Sequence, residues 1–284
     1  MVGTSGFSFD DWRGPVYPVG LPKTHMLEYY HRALGFDTVE LNYTYYSMPV
    51  PRALAAMLAR VGPDFTFVVR THQSMTHAIW AGHERRVLLD PSAAFGQFRA
   101  GIQPLVDASR LGCVLVQLPV FFYPAGATHD YIRRLPELIP DVRVVVEFRN
   151  RAWLRDSTFR LLQETGLAFC VVDEPRLPRL MPFESRMTAE PAYFRFHGRN
   201  RRWFAASRSE RYDYLYSNAE LTGLLGHVRT LAAKSDTCLV FFNNCHAGAA
   251  ARNALLAKQM LGLVGSLTHE QTLVVTGRES WPTA

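Results

Sequence analysis

VRVVVEFR, residues 142–149, is a β-branched apolar run that ends on a carboxylate, Glu147, and a guanidinium, Arg149, two positions apart. Runs of the same kind recur along the chain: VGTSG (2–6), FDTVELN (36–42), FTFVVRTH (65–72), CVLVQLP (113–119), LAFCVVDE (167–174), AYFRFHG (192–198) and TCLVFFNN (237–244). They are short, rich in β-branched and aromatic residues, and nearly all close on polar or charged side chains. Most are separated by a stretch long enough for a helix. This alternation predicts an α/β chain folded as a single (β/α)8 barrel of the TIM type. Residues 1–265 are assigned to the barrel, and residues 266–284, which carry no clear amphipathic pattern, to a C-terminal tail.

In such a barrel the chemistry sits at the C-terminal ends of the strands. The candidates ringing that mouth are Glu40, Asn42, Arg70, His72, Gln117, Glu147, Arg149, Asp173, Arg195, His197, Asn243 and Asn244. Strand residues two apart share a face, so Glu40 points with Asn42, Glu147 with Arg149, and Arg195 with His197. Burying such groups costs several kcal/mol unless they pair with one another or with a ligand. Mutual neutralisation of Glu40, Glu147 and Asp173 by Arg70, Arg149 and Arg195 would satisfy that demand without any function.

Three functional readings remain. In the first, an enzyme acts on a small anionic molecule, phosphorylated or nucleotide-like, without a metal. Forked hydrogen bonds from Arg70, Arg149 and Arg195 hold the anion, while Glu40, Glu147, Asp173 or His197 moves a proton. Asn42, His77, Gln117, Trp153, Asn243 and Asn244 complete the binding surface, the last two donating amides to an oxygen or capping the helix that follows. In the second reading, Glu40, Glu147, Asp173 and His197 hold a divalent metal in a phosphodiesterase or nuclease, with nucleic acid on the basic rim. Three arginines at the same level argue against a cation. The third is a non-catalytic binding protein. Trp12, Trp80, Trp153 and Trp203 fall in mouth-side loops and serve either as stacking platforms or as packed lids.

The 284 residues suit one barrel, and no Gly/Ser- or Pro-rich linker interrupts them. A hydrophobic fraction of 48% supports a large core. The net charge of +6 and pI near 9.3 favour an anionic partner. Cys113, Cys170, Cys238 and Cys245 are too widely spaced for a disulfide framework or zinc ribbon. Cys245, beside Asn244 and His246, reads as a small residue in a tight turn rather than a nucleophile. The first strand starts at Val2, which leaves no room for a leader, and no apolar run approaches the roughly 18 residues of a bilayer span, so a cytoplasmic location is expected. There is no P-loop, G-x-G-x-x-G or G-x-S-x-G motif.

Long loops are expected after the first, third, sixth and seventh strands, all on the mouth side. Pro175, Pro178 and Pro182 rule out a regular helix after the sixth strand, and Pro136 breaks or ends the helix that contains it.

The segments GTSGFSFDDWRGPVYP, FDTVELNYTYYSMP, FTFVVRTHQSMTH, LGCVLVQLPVFF, VVVEFRNRAW, YFRFHGRN and CLVFFNNCHAGAAARNALL together resemble the YecE-like family, a domain of unknown function. They follow in order from residue 3 to about 260. The resemblance implies a TIM-type barrel and carries over Gly6, Trp12, Glu40, Asn42, Thr44, Tyr46, Thr76, His77, Gln117, Pro119, Glu147, Arg149, Trp153, Asp173, Arg195, His197, Gly198, Asn243 and Asn244. Phe7 stands where the family usually has Trp. Arg70 stands where it commonly has Lys, which argues against Schiff-base or lysine-base chemistry, because a guanidinium stays protonated.

Overall fold

The computed structural model describes residues 1–82, 84–85, 87–202 and 210–277. Its strands are β1 (Val2–Ser5), β2 (Thr38–Leu41), β3 (Thr66–Arg70), β4 (Trp80–Ala81), β5 (Val87–Leu88), β6 (Leu111–Leu118), β7 (Val144–Phe148), β8 (Ala168–Asp173), β9 (Ala192–Phe196) and β10 (Cys238–Phe242). Eight of them close a parallel barrel in the order β1-β2-β3-β6-β7-β8-β9-β10, with β10 back against β1. This is the expected fold. The strands are apolar on both faces because one faces the lumen and the other the helices, and β1, β2, β7, β8 and β9 are buried throughout.

The helices are α1 (Met26–Arg32), α2 (Pro51–Leu58), α3 (Ser92–Asp107), α4 (Gly126–Leu138), α5 (Asp156–Glu164), α6 (Asn218–Ala232), α7 (Ala249–Met260) and α8 (His269–Thr276). No α-helix lies between β8 and β9, where the three prolines fall. Pro136 neither breaks α4 nor ends it at once, since the helix runs on to Leu138. The long loop after β3 carries the small antiparallel β4–β5 hairpin, which its sequence did not announce.

The stretch read as a tail contains α8. Thr268 accepts from the Gln271 backbone while the Gln271 side chain answers the Thr268 N–H, and Gln271 also donates to the Leu34 carbonyl at 3.0 Å. Among the described residues no helix is long and apolar enough to cross a membrane.

Register decides which strand-end residues share the lumen. Gln117 pairs with Glu147, and Arg195 with both Val172 and Phe241, whereas Asp173 pairs with Phe196. In-register residues of a parallel pair point the same way. Glu40, Gln117, Glu147 and Arg195 therefore point inward, while Asp173 joins Phe196 on the helix-facing side.

Helix α3 supplies an internal comparison of two glycines. A methyl group at Gly101 would lie 2.3 Å from the Pro49 carbonyl oxygen, whereas one at Gly96 meets nothing within 4 Å. Gly101→Ala should cost about 1–3 kcal/mol by overpacking, and Gly96→Ala should gain about 0.5–1 kcal/mol from helix propensity. Denaturant unfolding of both variants checks the sign; equal shifts would contradict the close approach of Pro49 to α3.

Candidate functional site

Arg195 lies at the centre of the mouth, wholly buried. One terminal nitrogen donates to Glu40 Oε1 at 2.6 Å; the other donates to Glu147 Oε2 at 2.5 Å and to Gln117 Oε1 at 3.1 Å. The second oxygen of Glu40 accepts from the Tyr193 hydroxyl at 2.6 Å. Strands β2, β6, β7 and β9 thus meet on one guanidinium that spans the lumen. Burial opposes the charge on Arg195, but Glu147 and Glu40 hold its pKa well above the ordinary value. Burial likewise pushes the Glu147 carboxyl up, and Arg195, His197 and Arg149 override it to hold it well below the usual range.

Arg149 forms the next tier. Its guanidinium is 3.1 Å from Glu147 Oε1 and 2.6 Å from Glu174 Oε2. Glu174 takes a backbone bond from Met181 at 2.9 Å, and burial, with help from Glu147 and against Arg149, raises its pKa to about 7. His197 is buried between Glu147 Oε1, 3.2 Å from Nε2, and the Asn243 side-chain amide, 2.8 Å from Nδ1. With Asn243 Nδ2 donating, Nδ1 is the acceptor and Nε2 carries the hydrogen that faces Glu147. Burial, then Arg149, lowers the His197 pKa to about 3, so the ring is neutral. Asn42 reaches the Asn243 side-chain oxygen at 3.5 Å.

Arg70 differs from the other two. It lies 4.1 Å over the Tyr45 ring and forms no ion pair or side-chain hydrogen bond with any described residue. Burial, followed by repulsion from Arg195, lowers its pKa. Its guanidinium lines a cavity of about 650 Å³ together with Phe9, Asp11, Tyr45, Tyr46, Arg211, Tyr212, Cys245 and His246. His77 packs edge-on against the opposite side of the same cluster, 4.9 Å from the Tyr45 ring, and its Nδ1 is 2.8 Å from the Thr76 hydroxyl. Burial, then Arg70 and Arg149, lowers the His77 pKa to about 3.

The inward set therefore comprises Glu40, Asn42, Arg70, Gln117, Glu147, Arg149, Arg195, His197 and Asn243, with His77 beside them. Several expected members are elsewhere. Asp173 faces outward and is occupied by the Arg199 guanidinium at 2.9 Å and the Tyr216 hydroxyl at 2.7 Å. Asn244, one residue past the inward Asn243, donates to the Tyr214 carbonyl and to Asn253 of α7 and caps no helix. Trp153 is buried between Phe122 and Phe148 and donates to the Phe122 carbonyl at 2.7 Å, so it supports a loop rather than a ligand. His72 bonds Ser74 at the start of a short 3-10 turn. Trp12 donates to the Cys245 carbonyl, and burial pushes the Cys245 thiol up, against a nucleophile. Trp203 lies outside the described residues.

Arg195 itself is shielded by its partners, and Glu40, Glu147 and His197 are as deeply buried. Two contributors escaped the sequence reading. Glu174 was passed over for its neighbour Asp173, although strand parity sets it with Cys170, which lies 3.9 Å from Glu147. Tyr193 is a residue inside a strand, where an aromatic reads as core. Among the described residues no group of three or more His, Cys, Asp and Glu side chains is disposed to hold a metal ion.

A closed parallel barrel with a polar, charge-paired lumen at its C-terminal mouth is the architecture of a large class of α/β barrel proteins. Within that class the chain belongs to the family described as "Protein of unknown function DUF72", whose model matches residues 1–274. It is 29% identical over 277 residues to the UPF0759 protein YunF of Bacillus subtilis, covering 93% of this chain and 94% of that one. The crystal structure of a DUF72 family protein from Thermotoga maritima superposes with a TM-score of 0.85 at 45% identity, covering 92% of this chain and 98% of that one. A DUF72 family protein from Enterococcus faecalis gives a TM-score of 0.78 at 26% identity over 94% and 97% of the two chains.

Removing Arg195 leaves two buried carboxylates facing each other, so Arg195→Met should lose on the order of 3–5 kcal/mol in denaturant unfolding or fail to fold. Loss below about 1 kcal/mol would mean that the bridge is not formed.

Acid should act on the same cluster. The folded pKa of His77 and His197, about 3, lies below the ordinary 6.5, so their contribution is complete above pH 6.5 and is withdrawn as pH falls toward 3. Glu174, raised to about 7 from 4.5, acts in the opposite sense between those values. Below pH 4.5 the histidines and Glu147 act together, and unfolding should be steepest there. Imidazole NMR should show neither ring titrating between pH 8 and 5; a midpoint near 6.5 for either would contradict its burial.

Proposed function

We propose that the barrel mouth is the active site of an enzyme acting on a small anionic, phosphorylated or nucleotide-like molecule by metal-independent acid/base chemistry. The YecE-like resemblance is read as the same group of proteins as DUF72. Hydrolysis or isomerisation is the reaction class in this reading, and the cytoplasm its setting.

The observation that carries it is Arg70. Three buried carboxylates, Glu40, Glu147 and Glu174, contact two arginines, Arg195 and Arg149, and none contacts the third. A desolvated guanidinium left over from such pairing is stabilised by an external anion. The anion would also remove one of the two positive fields that depress His77, moving that ring toward the range in which it exchanges protons. Asn42 and Asn243 supply neutral polar groups joined side chain to side chain, and Asn243 also bonds His197. Arg195 has the role of holding Glu147 and Glu40 in place rather than touching the ligand. The metal-dependent nuclease reading loses support from Asp173, whose outward face separates it from Glu40, Glu147 and His197.

Thermal melts with phosphate or sulfate test this directly. The wild type should be stabilised by either anion at constant ionic strength. Arg70→Met should lose that stabilisation while melting, without anion, at or above the wild-type temperature, because a buried charge without a partner has been removed. An unchanged anion response in Arg70→Met would refute the assignment.

A further inference from the structure

We infer that the anion held at Arg70 is joined to a planar aromatic ring, and that the cavity takes a nucleoside monophosphate rather than a bare sugar phosphate. The inference rests on the Arg70 reading and adds a second recognition element to it.

The cavity of about 650 Å³ exceeds what an inorganic anion occupies and falls within the range of sites for molecules of nucleotide size. Four of its lining side chains are phenyl or phenol rings: Phe9, Tyr45, Tyr46 and Tyr212. The polar groups of this wall are Asp11, Arg70, Arg211, His246 and the hydroxyls of its three tyrosines, so the rings provide most of its apolar surface. Flat faces beside guanidinium groups suit a π-system with an anionic tail.

The rings are held in fixed orientations. Tyr45 has Arg70 over its face at 4.1 Å, with His77 and Tyr46 each edge-on at 4.9 Å. Tyr46, braced by that edge contact, remains 54% exposed at the rim. Tyr212 shares the cavity wall with Arg70, and its ring lies 6.5 Å from His197. A phosphate on Arg70 thus shares its cavity with Tyr45 and Tyr212, and Tyr46 offers an exposed ring to an attached base. Asp11 is the one carboxylate of this wall among the described residues; its oxygen accepts the Ala247 N–H at 2.8 Å.

Calorimetric titration of the full chain with inorganic phosphate, ribose 5-phosphate, adenosine and adenosine 5′-monophosphate tests the idea. The monophosphate should bind at least about ten-fold more tightly than ribose 5-phosphate, the increment expected of one stacked base. Tyr46→Ala, at an exposed position, should narrow that ratio by weakening the monophosphate more than ribose 5-phosphate. Equal affinities for the two phosphates in the wild type would overturn the aromatic inference and leave the anion reading intact. Adenosine binding as well as its monophosphate, or Arg70→Met binding every phosphate as the wild type does, would instead overturn the anion reading beneath it.

Discussion

Arg195 bridging Glu40 and Glu147 is the contact on which the mouth of the barrel depends. Three charges are sealed in the lumen, and each is tolerated only because the others occupy its hydrogen-bonding positions. Because the partners come from β2, β7 and β9, with Gln117 of β6 as a fourth, the bridge also fixes the strands around the lumen. It sets the tier above as well. Glu147, already committed through Oε2, presents Oε1 to Arg149 and His197, and this fixes the histidine tautomer together with Asn243.

The same pairing accounts for what is left over. With Glu40 and Glu147 engaged by Arg195 and Glu174 by Arg149, Arg70 stands at the cavity with a ring beneath it and, among the described residues, no carboxylate against it. In the proposed reading, a lumen that neutralises two of its arginines from within and leaves the third to an anion separates scaffold from site inside one cluster. Arg195 and Glu147, wholly buried, form the bridge itself, whereas Arg70, Asn42 and His77 are only half-buried.

Most of the barrel was legible because each strand is a closed apolar run with a polar end, and the prolines after residue 174 correctly signalled a connection without a helix. What a single run cannot disclose is its register against its neighbours. VVDE offers Asp173 and Glu174 as equal candidates, and FFNN offers Asn243 and Asn244. Only the pairing of Val172 with Arg195 and of Phe242 with Phe196 turns Asp173 and Asn244 toward the helices. Trp153 misled for a related reason: a mouth-side position says nothing about whether an indole faces the opening or the layer under it. That Arg70 has no carboxylate partner among the described residues depends on contacts between strands remote in sequence. Helix α8 was readable locally, from Thr268 and Gln271 at capping-box spacing, but its weak amphipathic pattern hid it.

The central claim is a division of labour between two arginines, and a crystal structure of the protein soaked with tungstate or phosphate measures it most directly. The account predicts the anion within hydrogen-bond reach of the Arg70 guanidinium, with the Arg195 bonds to Glu40 and Glu147 intact. An anion seated on Arg195 with either carboxylate displaced, or density absent from Arg70 at saturating anion, would contradict it.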